Sequence, residues 1–214
     1  MAHVNVWVFD LDNTLYPPEI RLFDQIEQKM RQYISEHLSV DLEEADDLRA
    51  QYWREHGTTL AGLMAHHAID PMHFLDAVHD IDFTALTPDP ELGASIARLP
   101  GQKVIYTNGD SAYAARVLAA RGLEGLFDAI FGIEDAGFVP KPQRVAFETV
   151  FAKIDLETER AAMFEDDIRN LRVPHAMGMR TVLVHTDGPE EDHIHHRTTD
   201  LPHFLSQLAP PGLP

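Results

Sequence analysis

The chain is 214 residues long and strongly acidic, with 35 Asp and Glu against 17 Lys and Arg and a formal net charge of −18. That balance, with no basic stripe to meet phosphate backbones, excludes a nucleic-acid partner, and the 44% hydrophobic content excludes disorder. No apolar run approaches the roughly 20 residues of a membrane helix, and the absence of cysteine excludes both disulfides and a thiol nucleophile.

The first element is the run Val6-Trp7-Val8-Phe9, read as a buried parallel strand. Met1-Ala2-His3 leads directly into it, so no signal peptide is expected and the cytoplasm is the expected compartment. The strand breaks into Asp10-Leu11-Asp12-Asn13-Thr14. In open α/β sheets, ligands bind just beyond the carboxyl ends of strands. Extended i, i+2 spacing points Asp10 and Asp12 the same way, and two such anions repel unless a cation sits between them or one holds a proton. A hard divalent ion is therefore expected, most simply Mg²⁺. The alternative is a strand end with capping aspartates.

Residues 17–88 contain no convincing strand. Phe23, Ile26, Met30, Tyr33, Ile34 and Leu38 recur at helical steps and predict one apolar helix face. Leu42 to His56 predicts a second helix ending at Gly57, and Thr58 or Thr59 can cap a third over Leu60, Leu63 and Met64. Pro71 to His79 predicts a fourth. Pro88 to Pro100 holds a helix leading back to the sheet. A second strand, Lys103 to Tyr106, ends at Thr107-Asn108-Gly109, where Thr107 and the amides of Asn108 and Gly109 can receive an anion. Asp110 or Ser111 can cap the next helix, over 111–121. Lys141 stands between Pro140 and Pro142, which suits a fixed point charge, or else a surface lysine beside a proline at a helix start. A helix over 143–153 precedes a strand, Ala161 to Phe164, that runs into Glu165-Asp166-Asp167. Three consecutive carboxylates beside a buried strand need a cation to offset them. A helix over 168–177 and a strand over 181–185 follow. His193-Ile194-His195-His196 reads as a solvated loop or the start of an edge strand rather than a zinc site. Residues 209–214, with three prolines, read as a flexible tail. Alternating βα units imply a Rossmann-like parallel sheet flanked by helices, in which 1–16 and 89–208 form the core and 17–88 an inserted four-helix cap.

The motif Asp10-Leu11-Asp12-Asn13-Thr14-Leu15, then Thr107, Lys141-Pro142 and Asp166-Asp167, resembles the ordered motifs of haloacid dehalogenase superfamily phosphatases. Glu165 stands where that family often has Gly, and Asn170 where it often has a second Asp. The resemblance implies a Mg²⁺-dependent phosphomonoesterase working through an aspartyl-phosphate. Asp10 would be the nucleophile and Asp12 the general acid and base. Thr107, Asn108 and Lys141 would hold the phosphate. Asp10, Asp12 (through its backbone carbonyl) and Asp166 would hold the metal, with Asp167 and Asn170 behind them. A helical insertion after the first strand is similar to the family's C1 caps. The segment Tyr52-Trp53-Arg54-Glu55-His56-Gly57-Thr58-Thr59-Leu60-Ala61-Gly62-Leu63 is similar to the pyrimidine 5′-nucleotidase branch. That similarity points to Tyr52, Arg54, Thr58 and Thr59 as substrate contacts, although Tyr52 and Trp53 could be core packing and the threonines mere helix caps. The expected partner is a small phosphate ester, bound by a monomer or homodimer. Phosphoglycolate or sugar-phosphate hydrolysis keeps the same motifs. A 2-haloacid dehalogenase would not need the metal-binding acids. A phospho-acceptor switch resembling a receiver would not need a cap.

Overall fold

A computed structural model describes residues 1, 3–185 and 188–208; the expected tail at 209–214 lies outside the described residues. Strands β1 (Val6–Phe9), β2 (Gln102–Tyr106), β3 (Ala129–Phe131), β4 (Ala161–Glu165), β5 (Arg180–Val184) and β6 (His196–Thr198) form one sheet in the order β3-β2-β1-β4-β5-β6. Every neighbouring pair is parallel. The fold is α/β with β1 at the centre, and both faces of β1 are buried. Trp7 and Phe9 point into one apolar layer with α5 (Pro90–Ala97), α6 (Ser111–Ala120) and α9 (Leu201–Ser206). Val6 and Val8 point into the other, with α7 (Arg144–Ala152) and residues beside α8 (Arg172–Ala176). Phe9 stacks on Phe164 of the neighbouring strand, with centroids 4.6 Å apart.

Between β1 and α5 lie α1 (Leu22–Leu38), α2 (Leu42–His56), α3 (Thr59–His66) and α4 (Pro71–Val78). Leu22, Ile26, Tyr33 and Ile34 bury the stripe of α1 that the spacing predicts. Short acids and a threonine close the exposed amides at the starts of α2, α3 and α4. Asp41 accepts from the amides of Glu43 and Glu44, Thr58 from Ala61, and Asp70 from Met72 and His73. Gly57 ends α2 at φ +87°, a conformation that an L side chain rarely adopts. Leu22, Ile26, Tyr52, Leu60 and Phe74 share one apolar cluster with Trp7 and Phe9, so the insertion packs continuously onto one side of the sheet.

The structure adds β3 and α9, which the sequence pattern leaves unmarked. The helix expected over 168–177 is a 3₁₀ turn over Ile168–Leu171 followed by the short α8, with Pro174 inside it. The last long strand begins at Arg180, one residue before expectation, and ends at Val184 because His185 turns to φ +57°. β6 starts at His196, in keeping with the edge-strand reading of the histidine tract.

Candidate active site

The register brings the chemistry together. Phe9 pairs with Ile105 on one side and Phe164 on the other, so Asp10, Thr107 and Glu165-Asp166 emerge at the carboxyl edge of three adjacent strands. Asp10 is buried, and its amide donates to the Phe164 carbonyl (2.9 Å). Its Oδ1 accepts from Lys141 Nζ (2.7 Å) and its Oδ2 from Thr14 Oγ1 (3.1 Å). Lys141 is 1% exposed, and the same ammonium donates to Glu165 Oε2 (2.6 Å) and to the Tyr106 carbonyl (3.1 Å). Carboxylate oxygens of Asp10, Glu165 and Asp166 lie within 4.8 Å of one another.

Asp12 departs from the arrangement expected of it. The strand stops at Phe9, the Leu11 carbonyl accepts from Thr14 and Leu15, and Asn13 sits at φ +56°, so extended spacing ends before Asp12. Its carboxylate is absent from the acidic cluster. Instead Oδ1 accepts from two phenols, Tyr16 (2.6 Å) and Tyr113 (2.6 Å). Any part of Asp12 in metal binding therefore falls to its backbone carbonyl.

The Asn108 side chain, for which the sequence makes no assignment, holds the lysine. Its Oδ1 accepts from the Lys141 amide (2.8 Å) and its Nδ2 donates to the Lys141 carbonyl (3.2 Å), pinning the lysine from both sides. The Gly109 amide, expected to face an anion, donates to Thr107 Oγ1 (3.0 Å). The Thr107 hydroxyl proton stays free to donate, and the Asn108 amide has no protein acceptor among the described residues.

A cavity of about 550 Å³ opens over these groups. Its apolar wall comes from α1 and α4 (Phe23, Ile26, Met30, Phe74, Leu75), and Trp53, Arg54, Thr58 and Thr59 also line it. Tyr52 does not. It is buried against Gly62 and its hydroxyl meets His67 Nε2 (2.7 Å), so its assignment as a substrate contact is corrected to core packing. The Thr58 hydroxyl caps α3, and Thr59 Oγ1 donates to the Arg49 carbonyl (3.2 Å), which leaves Arg54 and Trp53 as the adaptable polar groups of that wall. Trp53 carries the Arg169 guanidinium 4.1 Å above its ring, and Arg169 in turn pairs with Asp167 (2.5 Å). Asp167 also accepts from the Arg169 amide (2.9 Å) and so caps the turn after β4. Asn170 is buried beside the cluster and lines the cavity.

The haloacid dehalogenase-like hydrolase family model matches residues 4–178. The chain belongs to that family. It is thus a hydrolase. It is 29% identical over 195 residues to Phosphate metabolism protein 8 of Saccharomyces cerevisiae, covering 83% of this chain and 60% of that protein. The chain spans only about 60% of the length of that curated relative. Among solved structures it is similar to CbbY from Rhodobacter sphaeroides in complex with phosphate, with a TM-score of 0.67 and 16% identity over 94% of this chain and 96% of that one. It is also similar to a HAD phosphatase from Thermococcus onnurineus, with a TM-score of 0.64 and 19% identity over 96% and 98%. These structures carry the fold.

For this member of the family, the electrostatics of the site follow from burial. Desolvation, then the charges of Glu165 and Asp10, raises the Asp166 pKa far above the carboxylate range. Glu165 rises for the same first reason and through Asp10, although Lys141 pulls the other way. Burial alone would lower Lys141, but Asp10 and Glu165 outweigh it and hold the ammonium charged. Asp12 is raised by burial and by Asp10, against the two phenol donors. Three carboxylates share one ammonium, and two of them are pushed towards holding protons. Sequence reasoning missed Glu165 as an ion-pair partner of Lys141 and Tyr16 as a partner of Asp12, it read Trp53 as core packing rather than cavity wall, and it missed Tyr113 and His79 altogether. The signals for Glu165 were its place in a run of three carboxylates after a buried strand and its departure from the family's usual glycine.

Proposed function

We propose that the chain is a magnesium-dependent phosphomonoesterase that hydrolyses pyrimidine nucleoside 5′-monophosphates through an aspartyl-phosphate. The observation that carries this reading is Asp10 at the end of β1, fixed by Lys141 and facing a cavity of about 550 Å³. Asp10 attacks phosphorus and forms an acyl phosphate. Asp12, with Oδ1 occupied by two phenols, holds its proton on Oδ2 and passes it to the departing ester oxygen. The same carboxylate then takes a proton from the water that releases phosphate. Thr107 Oγ1, the Asn108 amide and Lys141 Nζ supply donors to the non-bridging oxygens.

The residues fit a hard cation, because three carboxylates converge, two of them buried and Asp166 half-buried, and among the described residues one ammonium offsets them. Asp10 and Asp166 would hold Mg²⁺ together with the Asp12 carbonyl, and Glu165 adds a fourth oxygen donor that the expected set lacked. Bound there, the ion would neutralise the charge between nucleophile and phosphate. Residues 17–88 act as a cap that excludes water and chooses the leaving group. The lack of cysteine and of any described helix long and apolar enough to cross a membrane agrees with a cytoplasmic enzyme.

The pyrimidine reading rests on the Tyr52–Leu63 similarity and on a cavity with an apolar wall facing Trp53 and Arg54, able to stack one flat ring. Phosphate release from UMP, CMP and dTMP should exceed that from AMP and GMP by about ten- to two-hundred-fold, the range a pocket can select by fit. Equal rates, or a preference for phosphoglycolate or a sugar phosphate, would reject the nucleotide assignment and leave the phosphatase chemistry intact.

A further inference from the structure

The end of α4 reaches the active site through a row of buried groups. His79, the residue after α4, is 4% exposed and lines the cavity. Its Nδ1 lies 2.5 Å from Asp110 Oδ2. Asp110 comes from the other part of the molecule, where its Oδ1 caps α6 by accepting from the Tyr113 amide (2.7 Å). The His79 ring stacks on the Tyr113 ring, centroids 4.1 Å apart and 14° from parallel. Tyr113 ends on Asp12 Oδ1. One histidine from the insertion thus touches both the residue that caps α6 and the phenol that holds Asp12.

Nothing in the hydrolysis scheme uses His79 or Asp110, yet their burial has a cost that their mutual hydrogen bond offsets. A structural tie between the insertion and the sheet domain would not need to sit on the tyrosine that orients Asp12. We propose that His79 is a positioning residue. By pairing with Asp110 and stacking on Tyr113, it fixes the Asp12 carboxylate for proton transfer and makes that orientation depend on the seating of α4. This rests on the assignment of Asp12 as general acid. Two donors on Oδ1 leave Oδ2 the oxygen that faces the leaving group, and a displaced Tyr113 would free the carboxylate to rotate. When α4 lifts away, the nucleophile Asp10 keeps its own partners, Lys141 and Thr14, while Asp12 loses the stack that steadies Tyr113. The proton donor would then be aligned only with the insertion closed, which discourages phosphoryl transfer in an open site.

The test compares esters whose leaving groups need a proton to different degrees. kcat/KM reports steps through formation of the phosphoenzyme, so it isolates protonation of the leaving group from the later attack of water. Three full-length variants are compared with the parent on a nucleoside monophosphate and on p-nitrophenyl phosphate. They are Tyr113→Phe, which keeps the stacked ring and removes the hydroxyl, His79→Phe, which keeps the ring and removes the bond to Asp110, and His79→Asn, which keeps a donor. General acid catalysis is worth roughly 10²–10⁴-fold, and partial misalignment should forfeit about tenfold or more of it. The expected result is that Tyr113→Phe and His79→Phe lose at least about tenfold more kcat/KM on the nucleoside monophosphate than on the nitrophenyl ester, with His79→Asn recovering part of the difference. Circular dichroism and melting of each variant separate this from unfolding, and Tyr113→Phe, the smallest change, carries the test if His79→Phe fails to fold. Equal losses on both esters, or a rise in KM alone, overturn the positioning role while leaving the phosphatase assignment standing. A parent enzyme that releases phosphate from no ester would overturn both together.

Discussion

Lys141→Met should cost the fold stability as well as activity. The ammonium is 1% exposed and touches Asp10 at 2.7 Å and Glu165 at 2.6 Å, both of them buried. Methionine conserves much of the volume but leaves these carboxylates and Asp166 without a cation. Breaking a buried pair by removing one partner typically costs about 3–5 kcal/mol. Protonation limits the loss, since Glu165 already sits above the ordinary carboxylate range. The cost should therefore be larger at pH 8 than at pH 5. For a chain of this size, about 1 kcal/mol shifts the melting temperature by roughly 2–4 °C, so a fall of about 6–20 °C is expected in chelator at neutral pH. Adding Glu165→Gln to the variant removes one stranded charge and should return part of the loss, giving a coupling of about 1–3 kcal/mol in a double-mutant cycle. The assay is thermal and urea unfolding of the four proteins without divalent ions. A Lys141→Met protein that melts within about 2 °C of the parent, or strictly additive changes, would refute the shared buried ion pair.

Asp10→Asn should abolish phosphate release while leaving the melt unchanged or higher, because the amide cannot attack phosphorus and relieves repulsion with Glu165 and Asp166; a tenth of parental turnover would rule out Asp10 as nucleophile. Activity should vanish in EDTA and return with Mg²⁺, and Asp166→Ala should raise the Mg²⁺ requirement more than Asn170→Ala, read as the ion concentration for half-maximal rate. The metal-free protein should lose stability as pH rises from about 7 to 9, above the range in which His185, His195 and His196, whose pKa values burial lowers, contribute the opposite slope. Asp12, Glu165 and Asp166 have raised native pKa values, so through them the native state binds more protons than the unfolded one above pH ~4 and their contribution to the slope of unfolding free energy with pH is negative. Below that range Asp110 and Asp167, whose pKa values are lowered, reverse the slope as they take up protons. Mg²⁺ should raise the melting temperature more at pH 8 than at pH 5, and a flat or rising metal-free profile would contradict the assigned cluster.

The elements whose residues announce themselves locally were legible in the sequence. β1 and the first four residues of β4 are unbroken apolar runs buried on both faces, and α1 is a single stripe. β3, at three residues, and the exposed β6 are strands only because a neighbouring strand supplies their partners, so no periodicity could mark them. The site divides the same way. Asp10, Thr107 and Asp166 follow strand ends and could be placed from spacing. Asp12 could be named but its surroundings could not, because Tyr113 reaches it from 101 positions along the chain. The cap residues were misread for a related reason. Tyr52 and Trp53 are adjacent, so they face different directions on a helix, and only tertiary packing decides that Tyr52 lies under Gly62 while Trp53 lines the cavity.

Charge explains why an acidic chain can hold a phosphate dianion. At physiological salt the screening length is about 8 Å, so most of the surface excess acts weakly across solvent and the buried neighbourhood dominates. There, three carboxylates and one ammonium leave two negative charges when all are ionised. On the proposed reading a divalent ion would cancel them, and the dianion would then meet Thr107, the Asn108 amide and Lys141 beside a cluster of zero net charge. Glu165 fits this account. A glycine at its place would leave the cluster one negative charge short of balancing the ion and Lys141, whereas the carboxylate restores neutrality and gives the ammonium a second carboxylate partner. Lys141 is thus held between two acids and by Asn108 at both ends of its own backbone, which suits a charge that must not move when phosphate arrives and leaves.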